Sequence, residues 1–80
     1  MKYLSKKLPV LSGKEVVKAL SKVSFTVEHQ KGSHIVMARG DKGVVIPLHR
    51  ELDRGTLRSI IRQSGLTREG FLMLFKKKGG

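Results

Sequence analysis

The spacing of apolar residues changes period twice along this chain, and this change restricts the folds open to it. Between residues 12 and 23 apolar side chains recur at helical spacing. Three short alternating runs follow between Phe25 and Leu48, separated by two glycine-containing turns. Helical spacing returns after residue 53. We therefore predict an α+β fold of order α-β-β-β-α: a three-stranded antiparallel sheet with the helices packed on one face, and a short C-terminal helix.

Local signals predict where these elements begin and end. Ser12 and Glu15 have the spacing of a capping box, so the first helix is predicted to begin at Ser12. Gly65 is typical of a helix C-terminus, and Thr67 is predicted to cap the last helix. Pro47 lacks an amide donor, which predicts either the end of the third strand or an edge position.

Length, charge and composition limit the class of protein. Eighty residues without cysteine predict one domain over residues 1–80, with flexible ends at about 1–7 and 76–80. A formal net charge of +11 favours a polyanionic partner, and nucleic acid is the first candidate. No segment approaches the roughly 20 apolar residues that span a bilayer. We expect a cytoplasmic protein with no membrane partner.

One histidine directly follows a basic turn that contains glycine. Lys31, Gly32 and Ser33 form the predicted turn, and His34 starts the next strand on the parity opposite to its apolar residues. An imidazole on the solvated face can take and give protons near neutral pH. Lys31 and the turn amides are placed to meet a phosphate oxygen. An ordinary surface histidine after a turn has the same pattern, and spacing alone does not separate the two.

The other two histidines give weaker signals. His49 follows the third strand, and it forms an acid–base pair with His34 only if the strand register brings the two together. His29 has core-face parity near a strand end, which favours a partly buried, hydrogen-bonded role. The histidines lack metal-ligand spacing and no nucleotide-binding motif is present, so we expect neither a metal nor a small-molecule cofactor.

Two rows of cations are predicted on the outer faces of the helices. The cations of each row either bind phosphates or form a solvated face, and the sequence does not decide between these two roles. The three phenylalanines have apolar parities, so a platform of exposed rings for base stacking is not expected. The rows are Lys14, Lys18 and Lys22, and Arg54, Arg58 and Arg62.

Within residues 10–72, four motifs and the order in which they occur resemble the HicA family of bacterial and archaeal toxins. The resemblance implies a fold similar to the double-stranded RNA-binding domain and a ribosome-independent mRNA interferase that a HicB antitoxin neutralises. It also implies that His34 is the catalytic residue. Relatives often carry arginine where this chain has His29, which puts a phosphate contact there in doubt. The motifs are Ser12-Gly13-Lys14-Glu15, Gln30-Lys31-Gly32-Ser33-His34, Pro47-Leu48-His49, and Gly55-Thr56-Leu57 with the segment 60–66.

A mechanism follows as a hypothesis. Neutral His34 takes the proton of an RNA 2′-hydroxyl, and Lys31 with the amides of Gly32 and Ser33 binds the phosphate. The products would be a 2′,3′-cyclic phosphate and a 5′-hydroxyl. The donor of the second proton stays open between His49, Lys31 and water. Two alternatives are a non-catalytic double-stranded RNA-binding module of the same fold and a structural DNA-binding protein that acts through charge.

Overall fold

A computed structural model describes residues 9–75 of the chain. The strands form one antiparallel sheet in the order β1-β2-β3, which confirms the predicted α+β fold. The flexible ends predicted at about 1–7 and 76–80 lie outside the described residues. The elements are α1 (Gly13–Ser21), β1 (Thr26–Lys31), β2 (His34–Arg39), β3 (Lys42–Pro47), α2 (Arg54–Ser64) and α3 (Arg68–Met73).

The predicted start of α1 is confirmed by a complete capping box. The Glu15 N–H donates to Ser12 Oγ over 3.1 Å, and the Ser12 N–H donates to Glu15 Oε1 over 2.8 Å. These two bonds satisfy donors that a helix N-terminus otherwise leaves without partners. The first turn of α1 is therefore fixed by its own local sequence.

The other helix ends also follow their local signals. Asp53 caps α2, and hydrogen bonds from the side chain and the backbone N–H of Thr56 lower the pKa of its carboxyl. Gly65 ends α2 with a left-handed φ of 79°, and the Thr67 hydroxyl accepts from the Gly70 N–H at the start of α3. Within residues 9–75, no helix is both long and apolar enough to cross a membrane.

The core lies between the sheet and the helices. Val16 and Leu20 of α1 and Leu57 and Ile60 of α2 are at most 1 % exposed. Burying one such aliphatic side chain contributes about 1.5–3 kcal/mol. Helix α1 and helix α2 both pack against β3. The remaining buried apolar residues are Leu11, Ala19, Phe25, Met37, Val44, Ile46, Leu52, Ile61 and Phe71.

Strand β1 departs from the predicted alternation. Val27 pairs with Met37 but His29 pairs with Val36, so Glu28 is an extra residue in a β-bulge. A bulge reverses the side-chain alternation beyond it. His29 therefore lies on the face away from the buried Met37 and is exposed, and the predicted partly buried role is wrong.

The two edges of the sheet differ in their cover. All six residues of β1 are exposed. On the edge of β3, the Val45 N–H donates to Oε1 of Gln63 in α2 over 3.1 Å. Pro47 ends this edge strand, where its missing amide donor breaks no ladder bond, as predicted. β3 is therefore the supported edge and β1 the open one.

Candidate active site

His34 is the first residue of β2 and lies at one end of the sheet. It pairs with Lys31 on one side and with Pro47 on the other. The next residue, Ile35, pairs with the fully buried Ile46, so His34 points to the face away from the core. Its side chain is exposed, as strand parity predicts.

The structure brings His49 to His34. Their imidazole centroids are 6.5 Å apart and the ring planes lie at 73°. This proximity follows from the register, because His34 pairs with Pro47 and His49 comes two residues later. His29 shares the outer face of the sheet but pairs with Val36, two residues farther along β2. The strand register thus selects His49, and not His29, as the neighbour of His34.

Two backbone hydrogen bonds hold the segment that carries His49. The Leu48 N–H donates to the Ser33 carbonyl over 2.6 Å, which ties the segment to the turn before β2. The Gly13 N–H donates to the His49 carbonyl over 2.9 Å, which ties it to the first residue of α1. The relative position of the two imidazoles is therefore set by three segments that are distant in sequence.

The turn beside these histidines is open to solvent. Gly32 has a φ of 59°, a conformation that favours glycine, and no atom lies within 4 Å of where a Cβ would stand. The Gln30 side-chain amide donates to the Gly32 carbonyl over 3.1 Å and steadies the turn. Lys31, Gly32 and Ser33 are all exposed. A ligand can therefore approach the turn backbone next to a lysine that pairs with His34.

The predicted rows of cations differ in their surroundings. Lys22 Nζ donates to the Leu74 carbonyl over 3.2 Å, so this lysine holds the chain after α3. Lys14 and Lys18 of the same row are exposed, and so is the arginine row of α2. Phe25 and Phe71 are buried and Phe75 is partly buried, as their parities predict. Among residues 9–75, no three histidine or acidic side chains lie close enough together to hold a metal ion.

Sequence reasoning missed a tertiary contact of Gly13, the hydrogen bond from its N–H to the His49 carbonyl. Glycine is a poor helix former, by about 1 kcal/mol relative to alanine, yet it occupies the first position of α1. The capping-box motif that contains Gly13 predicts a helix start, and it does not indicate a tertiary contact. The contact with His49 appears only when the fold joins α1 to the end of β3.

Comparison with known proteins assigns this chain to a family. A family model described as the HicA toxin of bacterial toxin-antitoxin systems matches residues 13–66. The chain belongs to the HicA toxin family. The matched region includes α1, the turn at 31–33, and both His34 and His49. The family predicted from the four motifs is thus confirmed.

A solved structure supports the same assignment to the HicA family. It is a toxin-antitoxin complex from Streptococcus pneumoniae, one chain of which is 38% identical to this one with a TM-score of 0.61. The similarity covers 70% of this chain and 98% of that chain. Among curated proteins, no match is found.

Proposed function

We propose that this protein is the toxin of a toxin–antitoxin pair and acts as a ribosome-independent mRNA interferase in the cytoplasm. The observation that carries the proposal is the placement of His34 and His49, with ring centroids 6.5 Å apart beside an open basic turn. Membership of the HicA toxin family supports the role as a toxin. The reaction is a transesterification within the RNA strand and uses no metal or small-molecule cofactor.

His34 is proposed as the catalytic base. In its neutral form the imidazole takes the proton of a ribose 2′-hydroxyl, and the 2′-oxygen attacks the adjacent phosphorus. Exposure on the outer sheet face lets a single strand of RNA reach this ring. The products are a 2′,3′-cyclic phosphate and a strand with a 5′-hydroxyl, so no water is consumed in the first step.

His49 is proposed as the acid that protonates the leaving 5′-oxygen. In an in-line displacement the entering and leaving oxygens lie on opposite sides of phosphorus, and each needs a partner at about 2.6–3.2 Å. Two imidazoles with centroids 6.5 Å apart can serve these two oxygens of one phosphodiester. The sequence left this donor open between His49, Lys31 and water; His49 is the choice proposed here because an imidazole can give a proton near neutral pH, whereas Lys31 is assigned to the phosphate.

The turn is proposed to bind the phosphate. Lys31 pairs with His34 across the two strands, so its ammonium belongs to the same end of the sheet. Gly32 and Ser33 are exposed, and no atom lies within 4 Å of the Gly32 Cβ position, so an oxygen can approach the backbone of this turn. Positive charge and amide donors at this point stabilise the negative charge that develops on the non-bridging oxygens.

An antitoxin of the HicB type is the proposed protein partner. The solved relative comes from a toxin-antitoxin complex, and family membership supports a corresponding partner here. A net charge of +11 favours an acidic surface on that partner. Antitoxin bound over the turn and the two exposed histidines would keep RNA from the site.

The test is cleavage of a labelled single-stranded RNA by purified protein in the presence of EDTA. His34→Ala is expected to slow cleavage by about 10²–10⁴, the usual cost of losing a general base. His29→Ala is the matched control, because this exposed histidine lies on the same sheet face but pairs with Val36, two residues beyond His34, and it should cleave within about twofold of wild type.

Three results would contradict the proposal. If His34→Ala cleaves RNA as fast as wild type, His34 is not the base. If EDTA abolishes cleavage, the reaction needs a metal ion. Equal binding of duplex RNA by all variants without any cleavage identifies a non-catalytic double-stranded RNA-binding module. DNA of the same sequence should stay intact, because it lacks the 2′-hydroxyl that the mechanism requires.

A further inference from the structure

Gly13 stands where the fold has no room for a side chain. A Cβ on this residue would lie 2.1 Å from the Pro47 carbonyl oxygen and 2.9 Å from Leu48 Cα. Real Cβ atoms are essentially never found closer than 3.0 Å to such atoms. Both neighbours belong to the backbone, so no change of rotamer relieves the overlap. Any side chain here must displace either the start of α1 or the segment that leads to His49.

That segment is held by two separate elements. Leu48 donates to the Ser33 carbonyl beside His34, and His49 accepts from the Gly13 N–H of α1. A displacement of α1 therefore moves His49 relative to the turn that precedes His34. The two imidazole centroids lie 6.5 Å apart, and their separation follows from this backbone arrangement.

We propose that Gly13 is a positioning residue for His49. The missing side chain lets α1 lie directly against residues 47–49, and this contact sets the position of the His49 imidazole relative to His34. The inference rests on the proposed function, because it assigns Gly13 an effect on proton donation by His49. Gly13 itself is not proposed to touch the substrate.

Gly55 supplies a matched control. It also lies in the first turn of a helix, but a Cβ there would meet only the Asp53 side chain, at an ordinary 3.4 Å. Gly13→Ala is expected to lower kcat on single-stranded RNA by about 10- to 100-fold, since a misplacement of about 1 Å can cost about 10² in rate. KM should change by less than about twofold, and Gly55→Ala should match wild type in both constants.

A second substrate separates positioning from general damage. In this RNA, sulfur replaces the bridging 5′-oxygen at the scissile phosphate, and the thiolate that leaves needs no proton because its pKa is low. Gly13→Ala and His49→Ala should both recover most of their lost rate on this substrate. A purely structural defect would slow the cleavage of both RNAs equally and would contradict the proposal.

Two further measurements keep the test decisive if Gly13→Ala does not fold. Chemical synthesis with glycolic acid in place of Gly13 replaces the N–H donor by an ester oxygen and adds no atom to the crowded space; it also weakens the Ser12 carbonyl, which accepts from the Val16 N–H. This ester should lower kcat in the same direction, and a wild-type kcat would refute the proposal. In folded variants, the nuclear Overhauser effect between the His34 and His49 rings should weaken for Gly13→Ala and persist for Gly55→Ala.

The Overhauser measurement needs no enzymatic activity. If wild-type protein fails to cleave RNA, the proposed function falls, while the ring-to-ring signal still decides whether Gly13 sets the position of His49. Gly13→Ala that folds, keeps this signal and retains the kcat of Gly55→Ala would overturn the inference.

Discussion

The sheet contains two hairpin turns of equal length, yet only one lies beside a pair of histidines. Gly32-Ser33 connects β1 to β2, and Gly40-Asp41 connects β2 to β3. The two glycines have nearly the same φ, 59° and 60°, and neither has an atom within 4 Å of its Cβ position. Each turn also adjoins a lysine, Lys31 in one case and Lys42 in the other. As local structures the two turns are near equivalents.

Their long-range contacts distinguish them. Ser33 accepts a hydrogen bond from Leu48, and the chain that follows brings His49 to the site. At the other turn, the Lys42 side chain runs toward the end of α2, where its Cε lies 3.1 Å from the Cβ position of Gly65. His34 begins β2 and Gly40 follows its last residue, so the second turn lies at the opposite end. A glycine turn with a lysine therefore becomes a candidate site only through tertiary contacts.

The largest expected contrast comes from giving the first turn the aspartate of the second. Ser33→Asp should lower kcat/KM for RNA by about 10- to 100-fold at low salt, because like charges about 4 Å apart repel by about 1–4 kcal/mol near a protein surface. Added salt should reduce the defect. Asp41→Ser should stay within about twofold of wild type, and equal effects of the two changes would erase the distinction between the turns.

A smaller contrast is expected for the two lysines. Lys31→Ala should lower kcat/KM by up to about fivefold, the size expected for one exposed charge contact worth up to about 1 kcal/mol. Lys42→Ala removes the same charge at the other turn and should change the constant by much less. Steady-state kinetics over a range of salt concentrations checks both, and a larger loss for Lys42→Ala would place the phosphate site at the wrong turn.

The smallest contrast concerns stability, where the two turns should behave alike. Gly32→Ala and Gly40→Ala each place a Cβ at positive φ, which costs about 1–2 kcal/mol, so both variants should lose a similar free energy of unfolding in urea. Only Gly32→Ala should also slow RNA cleavage. Unequal losses in stability would show that the turns are not equivalent as local structures.

Local rules account for much of what the sequence predicts correctly. The capping box at Ser12, the stop at Gly65 and the cap at Thr67 depend on neighbours a few residues away, and all three are present. The direction of His34 followed from simple alternation along β2, which is regular. The HicA family was also within reach, because its motifs are contiguous in sequence.

The features that the sequence missed or left open depend on distant contacts. The bulge at Glu28 reverses His29, and no residue pattern in β1 signals it. The approach of His49 to His34 required the register of β3, which a single sequence leaves open. The contact of Gly13 with the backbone of Pro47 required the packing of α1. Each of these arises from pairing or packing between segments.

In the proposed reaction, His34 takes a proton from the RNA and His49 gives one to the leaving oxygen. The most direct measurement compares His34→Ala and His49→Ala on two RNAs that differ only in oxygen or sulfur at the leaving 5′ position. On the oxygen substrate both variants should be slower than wild type by about 10²–10⁴.

On the sulfur substrate, His49→Ala should approach the wild-type rate while His34→Ala stays slow, because only the leaving group no longer needs a proton. Recovery of His34→Ala in place of His49→Ala would reverse the two roles. If neither variant recovers on the sulfur substrate, the role of His49 as the acid is contradicted.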